Sequence, residues 1–352
     1  MDTQDLIVYK KNGIGHIILN RPSALNAINL PMVRGMYRHL NEWANDADIK
    51  IVVVTGSGEK AFCAGGDIRT LYESMQDGRT DHLAFFEEEF VLNEYIYTYP
   101  KPYIALLDGY VMGGGMGISQ GASYRIATER TKLSMPETAI GYFPDVGGSY
   151  FLSRCPDSIG VYLGLTGKSI QADDALFSNL VDWIITSDRL EDFTNDLETI
   201  NFSQSIPNQI DALLRGHGAV NQPRNASFSA TSQNIKNCFS LKAIEEITQE
   251  LENLERVSGA QWVTDALVKM AKNSPLALAA TLKMINIGQS LTLSQCFAME
   301  LILAKRWMDI GDFVEGIRAL IIDKDNLPKW RYQQSELSTE KMVFLFPELY
   351  LQ

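Results

Sequence analysis

Two carboxylates stand in an apolar segment shaped by proline and glycine, MPETAIGYFPDVGG (135–148). They are Glu137 and Asp145. A carboxylate held in such surroundings loses solvent, which raises its pKa and suits it to acid/base or nucleophilic work. Either residue could equally cap a local turn or a helix start. The residues alone leave these two interpretations balanced.

Glycine recurs in two runs at the ends of predicted strands, AFCAGGD (61–67) and GYVMGGGMG (109–117). Glycine there permits unusual backbone angles and the close approach of a ligand to main-chain N–H groups. Two N–H groups that converge on one point would form an oxyanion hole for a developing carbonyl anion. A helix that begins at Gly114 would add its positive end to that point. Because two such runs follow successive strands, we favour this interpretation over two plain turns.

Other chemistries are less well supported by the spacing of the residues. GSGEKA (56–61) fits a dinucleotide fingerprint, but no helix opens after it, and residues 76–82 lie in a predicted loop where the acidic partner should stand. Cys63 has no histidine nearby in sequence, which disfavours a thiol nucleophile. The four cysteines and four histidines show neither a disulfide framework nor metal-ligand spacing. The sequence therefore predicts no metal site.

The elements that must position these residues alternate between β-rich and helical patterns. Strands are predicted at 6–9, 16–19, 49–56, 103–109 and 124–128, and a helix at 30–43 behind Asn29 as its N-cap. This alternation indicates an α/β core. From about Ile159 the chain becomes helix-rich, with Asn221–Asn237 as the predicted linker and stripes at 276–287 and 293–308 interpreted as helices that pack against the core.

Composition excludes several classes of protein. The 352 residues carry 31 basic and 43 acidic side chains, a formal net charge of −12, which is the wrong sign for a nucleic-acid-binding surface. No apolar run approaches the roughly 20 residues that span a bilayer, so no membrane partner is expected. The sequence shows no signal or transit pattern, which favours a bacterial cytoplasmic protein, although a processed mitochondrial protein would look the same.

The runs NRPSALNAI, AFCAGGD, GYVMGGGMG and MPET together resemble the crotonase (enoyl-CoA hydratase/isomerase) superfamily in order and spacing. MPETAIGYFPDVGGSYFLSR, CFSLKAIEEITQEL and DFVEGIRALIIDKDNLPKW resemble its 3-hydroxyisobutyryl-CoA hydrolase branch and extend the match to about residue 330. The resemblance implies an α/β spiral of β-β-α units over residues 1–190. It also implies a helical region, 191–352, that covers the site or mediates assembly. Homo-oligomer formation stays open.

The resemblance also implies roles for individual residues. Gly66 and Gly114 would supply the oxyanion-hole N–H groups, with Glu137 as nucleophile or general base. Asp145 stands where hydratases ordinarily have glycine, and it would bind a substrate hydroxyl and assist proton transfer. Glu89 would contact the acyl group. In hydratases, a second glutamate stands three residues past the second glycine of the hole. Gly117 occupies that position here and has no side chain, so water addition to a double bond is disfavoured.

Coenzyme A would be bound mainly by backbone and would enter as part of the substrate, with no separate cofactor. The residues implied are Ala24, Leu25, Ala64, Asp67 and Ile68. Arg318, Lys324 and Lys329 could bind its phosphates or could be ordinary surface residues. Given the negative net charge, recognition of these phosphates must be local.

Three functions are weighed for the chain. The first is an acyl-CoA thioester hydrolase for 3-hydroxyisobutyryl-CoA, which is an intermediate of valine catabolism. The second is an enoyl-CoA hydratase or isomerase. The third is a non-catalytic acyl-CoA-binding scaffold. Retention of Gly66, Gly114, Glu137 and Asp145 favours the hydrolase over the scaffold, because a scaffold has no need of all four.

Overall fold

The computed structural model of the chain describes residues 4–337, 342 and 344–346. The strands are β1 (Leu6–Lys11), β2 (Ile14–Leu19), β3 (Ile51–Gly56), β4 (Ala61–Cys63), β5 (Tyr103–Leu107), β6 (Tyr110–Met112), β7 (Tyr124–Ala127), β8 (Lys132–Ser134), β9 (Ile170–Gln171) and β10 (Trp183–Ile184). The helices are α1 (Leu30–Asn45), α2 (Ile68–Gln76), α3 (Asp81–Tyr97), α4 (Gly114–Gln120), α5 (Gly148–Phe151), α6 (Ile159–Thr166), α7 (Ala172–Phe177), α8 (Leu190–Leu197), α9 (Ile206–Gly216), α10 (Phe228–Phe239), α11 (Ile244–Ser258), α12 (Gln261–Lys272), α13 (Pro275–Gly288), α14 (Leu293–Ile310) and α15 (Phe313–Ile317).

From β3 to β8, consecutive strands alternate between two sheets. One sheet has the order β1-β2-β3-β5-β7-β10 and the other the order β4-β6-β8-β9. In the repeats β3-β4-α2 and β5-β6-α4, the first strand joins the larger sheet, the second joins the smaller one, and a helix follows. Apart from the β1-β2 hairpin, the strand pairs of the larger sheet are parallel. The predicted α/β fold of β-β-α units is confirmed.

The strands and helices that the sequence predicts are present, with one error in a predicted linker. All five predicted strands form, and Asn29 caps α1, its side-chain oxygen accepting from Met32 N–H at 3.0 Å. The predicted linker is wrong over its second half, because α10 begins at Phe228. Among the polar residues of that stretch, three apolar residues recur at helical spacing and are buried: Phe228, Ile235 and Phe239.

The described residues form two compact units. The sheet unit comprises residues 4–67, 91–133 and 170–228, and the helical unit comprises residues 68–90, 134–169, 229–337, 342 and 344–346. These units do not divide at residue 190, since residues 134–169 group with the C-terminal helices. The division into a site-bearing core and a covering region is a functional one and stays a prediction.

Each unit has its own apolar core. In the sheet unit, Ile51, Val53, Ile104 and Ile126 of the central strands pack with residues of α8 and α9. The helical unit is built around a cluster of aromatic side chains with ring centroids about 4 to 6.5 Å apart, formed by Phe86, Phe90, Tyr142, Phe143, Phe297, Trp307 and Phe313. Burial of such rings is a large apolar contribution to stability.

Candidate active site

The two glycine runs meet within the sheet unit. Strands β4 and β6 pair in parallel, Ala61 with Tyr110 and Cys63 with Val111, so both carboxyl ends lie at one edge of the smaller sheet. Beyond them, Gly65 has φ +111°, and a Cβ built on it would lie 3.5 Å from Met112 O and 3.9 Å from Gly114 N. The structure thus brings the two runs to backbone contact distance, as the oxyanion-hole hypothesis requires.

The N–H groups of Gly66 and Gly114 lack a hydrogen-bond acceptor among the described residues. Gly114 is the first residue of α4, where an N–H has no partner inside the helix. Gly66 forms a bridge with Ile28, but the bonds of that bridge use Gly65 O and Asp67 N. Neither glycine N–H has an acceptor among the described residues. This pair can donate to a carbonyl oxygen, while its role as the oxyanion hole stays a prediction.

Replacing Gly65 by alanine tests that role. At φ +111° an L residue is strained, and relief of this strain would move the adjoining Gly66 N–H. If the chain is a thioester hydrolase, as the resemblance implies, we expect its kcat to fall about 10- to 100-fold. Gly78→Ala is the control, because Gly78 also has positive φ (66°) but an added Cβ meets nothing within 4 Å. A folded Gly65→Ala protein with unchanged kcat would contradict the assignment.

The segment around Ala24 and Leu25 runs beside the first glycine run. Leu25 has a left-handed backbone, with φ 51°, and its carbonyl accepts from Ala64 N–H at 3.0 Å. Ile28 N–H donates to Gly65 O at 2.8 Å. The backbone of residues 24–28 is therefore fixed to the strand end that carries Gly66.

Asp67 is held beside this segment, where its carboxylate pairs with Arg21 at 2.8 Å. Its N–H donates to Ile28 O at 2.8 Å. Four of the five predicted CoA contacts, Ala24, Leu25, Ala64 and Asp67, are thus neighbours in the sheet unit. Ile68 is the first residue of α2 and belongs to the helical unit. Their contact with CoA stays a prediction.

The three predicted acidic site residues lie within the helical unit, and all are buried. Glu89, Glu137 and Asp145 are 2%, 7% and 6% exposed. Burial raises the pKa of Glu137 to about 8. Burial, assisted by Glu137, raises the pKa of Glu89 to about 8. Burial also raises the pKa of Asp145 well above its usual range, and Glu89, Glu137 and Glu300 add to the effect. Glu89 and Glu137 therefore favour their protonated forms at neutral pH, and the raised pKa of Asp145 acts in the same direction, which suits acid/base chemistry.

The structure distinguishes Glu89 from its acidic neighbours. Glu87 is exposed and pairs with Lys305 at 2.7 Å, which is the solvated role that a charge run usually has. Glu89 is buried, and its Oε1 has no hydrogen-bond partner among the described residues. Oε2 of Glu137 is likewise buried and has no hydrogen-bond partner in the described part of the chain. Buried carboxyl oxygens without partners are costly unless a ligand satisfies them.

The turn that carries Glu137 is held by the start of α13. Glu137 begins a 3-10 turn, Glu137–Ile140, which ends at Gly141 with φ 70°. Thr138 is fully buried, and its hydroxyl accepts from Asn273 Nδ2 at 2.9 Å while its carbonyl accepts from Ser274 N–H at 3.2 Å. The turn is thereby held through Thr138, whereas Oε2 of Glu137 itself has no hydrogen-bond partner among the described residues.

Sequence reasoning missed Glu300, a further buried acid in the helical unit. It lies on α14 at 0% exposure. The signal was present, because Glu300 stands between Phe297 and Trp307 on the apolar stripe that was interpreted as packing alone. A glutamate at a core position of an amphipathic helix needs a buried partner.

Arg318 is a poor candidate for a CoA phosphate. Its guanidinium already contacts the carboxylates of Glu315 at 2.8 Å, Asp323 at 2.6 Å and Asp325 at 2.7 Å. Three acids around one cation repel a further anion. Lys324 and Lys329 are exposed and stay candidates.

A membrane-spanning helix and a cluster of metal-binding side chains are both absent from the described residues. None of their helices is long and apolar enough to cross a membrane. No group of three or more of their His, Cys, Asp or Glu side chains is arranged to hold a metal ion.

Comparison with known proteins yields one family and two kinds of named relative. A family model described as enoyl-CoA hydratase/isomerase matches residues 14–346. The 3-hydroxyisobutyryl-CoA hydrolase, mitochondrial, of Gallus gallus is 38% identical over 341 residues, which is 96% of this chain and 87% of that protein. The Homo sapiens protein of the same name is 38% identical over 340 residues, with the same coverage of both chains.

Solved structures are also similar. A carnitinyl-CoA dehydratase from Mycobacterium thermoresistibile aligns with a TM-score of 0.88 at 33% identity and covers 98% of this chain and 96% of its own. An enoyl-CoA hydratase from Rhodobacter sphaeroides aligns with a TM-score of 0.87 at 34% identity and covers 98% of both chains. The named activities differ, but all act on acyl-CoA compounds by name.

Proposed function

The chain belongs to the enoyl-CoA hydratase/isomerase family, and we propose that within it the protein hydrolyses 3-hydroxyisobutyryl-CoA to 3-hydroxyisobutyrate and CoA. The observation that supports the proposal most strongly is the pair of buried acids, Glu137 and Asp145. They occur in a chain that is 38% identical, over 96% of its length, to a 3-hydroxyisobutyryl-CoA hydrolase. The oxyanion donors, the acids and the substrate class agree with one reaction, cleavage of a thioester.

The reaction begins with polarisation of the thioester carbonyl. The N–H groups of Gly66 and Gly114 donate to its oxygen and stabilise the tetrahedral oxyanion more than the planar ground state. Each donor of this kind is worth about 3–4 kcal/mol in the transition state. Support comes from the backbone proximity of the two runs and from the free N–H at the start of α4.

Glu137 then forms or activates the attacking oxygen. As a nucleophile, its carboxylate forms a bond to the acyl carbon, the C–S bond breaks, and water hydrolyses the resulting anhydride. As a general base, it takes a proton from water while that water attacks the same carbon. Because the pKa of Glu137 is raised to about 8, the ionised form that either route needs increases as the pH approaches that value.

Asp145 supplies the proton that the leaving group requires. Its raised pKa favours the protonated carboxyl group, which can donate to the departing thiolate as the C–S bond breaks. It would also hydrogen-bond the 3-hydroxyl of the acyl group, with Glu89 contacting the same acyl chain. CoA leaves as a product, and no separate cofactor is needed.

A panel of acyl-CoA compounds tests the proposal. Free thiol is followed with a chromogenic disulfide, and loss of the enoyl absorbance is followed in parallel. Thiol release from 3-hydroxyisobutyryl-CoA, faster than from isobutyryl-CoA, supports the hydrolase. Hydration of crotonyl-CoA without thiol release overturns it in favour of a hydratase, and binding without either reaction overturns it in favour of a scaffold.

A hydratase is the second candidate, since solved structures similar to the chain carry hydratase or dehydratase titles. Position 117 opposes it. Gly117 lies on α4 three residues after Gly114, on the same face of the helix, and is buried. A glutamate there could activate water, whereas glycine offers no group that accepts a proton.

Replacing Asp145 by glycine tests the assignment to the hydrolase branch. We expect kcat/KM for 3-hydroxyisobutyryl-CoA to fall about 10²- to 10³-fold, because one hydrogen bond and one proton donor are lost. The loss should be smaller for isobutyryl-CoA, which lacks the 3-hydroxyl. Asp145→Asn is the matched variant, since it retains a hydrogen-bonding group but cannot supply the proton. Full activity of Asp145→Gly on the hydroxyacyl substrate would refute the role.

The compartment and assembly belong to the proposal as well. The similar hydrolases of Gallus gallus and Homo sapiens are mitochondrial by name. A role of this reaction in valine catabolism stays a prediction. The cytoplasmic location stays a prediction, as does homo-oligomer formation.

A further inference from the structure

One face of α14 contacts the segment that carries Asp145. Phe297 lies against Gly147, where an added Cβ would be 3.0 Å from its ring. Glu300, three residues later, reaches the same turn, and Trp307 donates from Nε1 to Gly141 O at 2.9 Å. These three residues share a face of the helix by their spacing. The helix therefore contacts both ends of the 141–149 segment.

Glu300 binds the turn through three donors. Its Oε2 accepts from Gly147 N–H at 2.7 Å, and its Oε1 accepts from Ser149 N–H at 2.8 Å and from the Ser149 hydroxyl. Charge-assisted bonds to backbone N–H groups are among the stronger hydrogen bonds in proteins. Both ends of the carboxylate are thus engaged, unlike those of Glu89 and Glu137.

The bound turn has a backbone that needs support. Val146 has φ 52° and Gly147 has φ 89°, and a β-branched residue in the left-handed region is strained. Both follow Asp145 directly, and Gly148 N–H closes the turn on Asp145 O at 2.7 Å. The direction of the Asp145 side chain therefore depends on a conformation that local preference does not favour.

Glu300 also influences the charge of Asp145. The groups that act on Asp145 are Glu89 from α3, Glu137 from the 3-10 turn and Glu300 from α14, and the Tyr142 hydroxyl lies beside it. The pKa of Glu300 itself is raised by burial to about 7, while its three donors act to lower it. Glu300 also acts to raise the pKa of the Tyr142 hydroxyl and of the Cys296 thiol, and burial is the main cause that raises the pKa of this thiol to about 11.

We propose that Glu300 is a positioning residue for the reaction, because it holds the Asp145 turn through Gly147 and Ser149. The kinetic part of this inference rests on the proposed function. Its structural part, a carboxylate of α14 that fixes the turn after Asp145, does not depend on the identity of the substrate.

Glu300→Gln tests the proposal, because the amide keeps the size but removes the charge and turns a donor toward one of the N–H groups. We expect kcat for 3-hydroxyisobutyryl-CoA to fall about 10- to 100-fold with KM changed less than about threefold, as for a misplaced catalytic group. With ¹³C-labelled aspartate, assigned through Asp145→Asn, the Asp145 carboxyl should titrate at lower pH in the variant, since one like charge is gone.

Two further variants keep the test decisive. Ser149→Ala removes one donor and leaves the Glu300 carboxylate, so we expect kcat to fall about threefold. The Asp145 titration should shift in the same direction as in Glu300→Gln, but by less. If Glu300→Gln does not fold, the Ser149→Ala variant tests the proposal in its place. Lys305→Ala, on an exposed part of α14, should match the wild type. Unchanged kcat and unchanged Asp145 titration in the folded variants overturn the proposal.

The titration also separates this inference from the proposed function. If the wild type releases no thiol from any substrate of the panel, the hydrolase assignment fails. The Asp145 titration in Glu300→Gln still reports whether Glu300 sets the state of that carboxyl group.

Discussion

We expect the Glu137→Gln protein to lose about 10²- to 10⁴-fold in kcat for thiol release while it still binds CoA. The amide can neither attack the thioester nor take a proton from water. It matches the protonated carboxyl in shape, and Glu137 Oε2 has no partner in the described part of the chain, so no hydrogen bond of that oxygen is broken. Thiol release under substrate saturation measures kcat, and calorimetric titration with CoA measures binding.

The control for this change is Glu87→Gln, which removes an exposed carboxylate paired with Lys305. It should leave kcat and CoA binding close to those of the wild type. Turnover by Glu137→Gln at the rate of the control would remove Glu137 from the mechanism. Loss of CoA binding together with turnover would indicate a disrupted groove instead.

The same substitution should make the protein more stable, and increasingly so as the pH rises. The pKa of Glu137 is raised to about 8 in the folded protein, from an ordinary value of 4.5. Between these pH values the unfolded chain releases the proton while the folded chain retains it, so stability falls with rising pH and levels off above about 8. Glutamine has no proton to release. We expect Glu137→Gln to gain about 2 to 5 kcal/mol in free energy of unfolding at pH 8 and little at pH 4.5.

Urea unfolding of both proteins at pH 4.5, 6 and 8 measures this difference. Glu87→Gln again serves as the control, and its difference from the wild type should stay small at every pH. A Glu137→Gln protein that is no more stable than the wild type at pH 8 would mean that the carboxyl is hydrated or paired in solution. Loss of activity and gain of stability from one substitution are expected where a buried acid is kept for chemistry.

Sequence reasoning succeeded where a local pattern determines the structure. The continuous apolar run of β3 is typical of a strand buried on both faces, and Asn29 is a residue type that caps helices, so both were predictable. The glycine runs were predictable as sites of close backbone approach, because residues 61–67 and 109–117 each follow a strand. The parallel pairing of β4 with β6 then brings the runs together.

The parts that were missed depend on contacts between distant segments. Glu300 and Gly147 are 153 residues apart, and no periodicity reveals that a carboxylate of one binds the N–H of the other. Among the three successive glutamates at 87–89, only packing shows that Glu89 is the buried one. The linker prediction failed over α10 because the exposed residues of this helix, which are mostly polar, outnumber its buried residues.

In the proposed mechanism the oxyanion donors belong to the main chain, which affects how the protein can change over evolutionary time. An N–H group is present whatever side chain follows it, so drift at positions 66 and 114 removes a donor outright only by introducing proline. The carboxyl groups of Glu137 and Asp145 are lost through almost any single substitution. In this proposal, the catalytic groups of the backbone persist through most substitutions, whereas the catalytic carboxyl groups of the side chains do not. New activities in such a lineage should arise by trading acids while the anion-binding backbone persists.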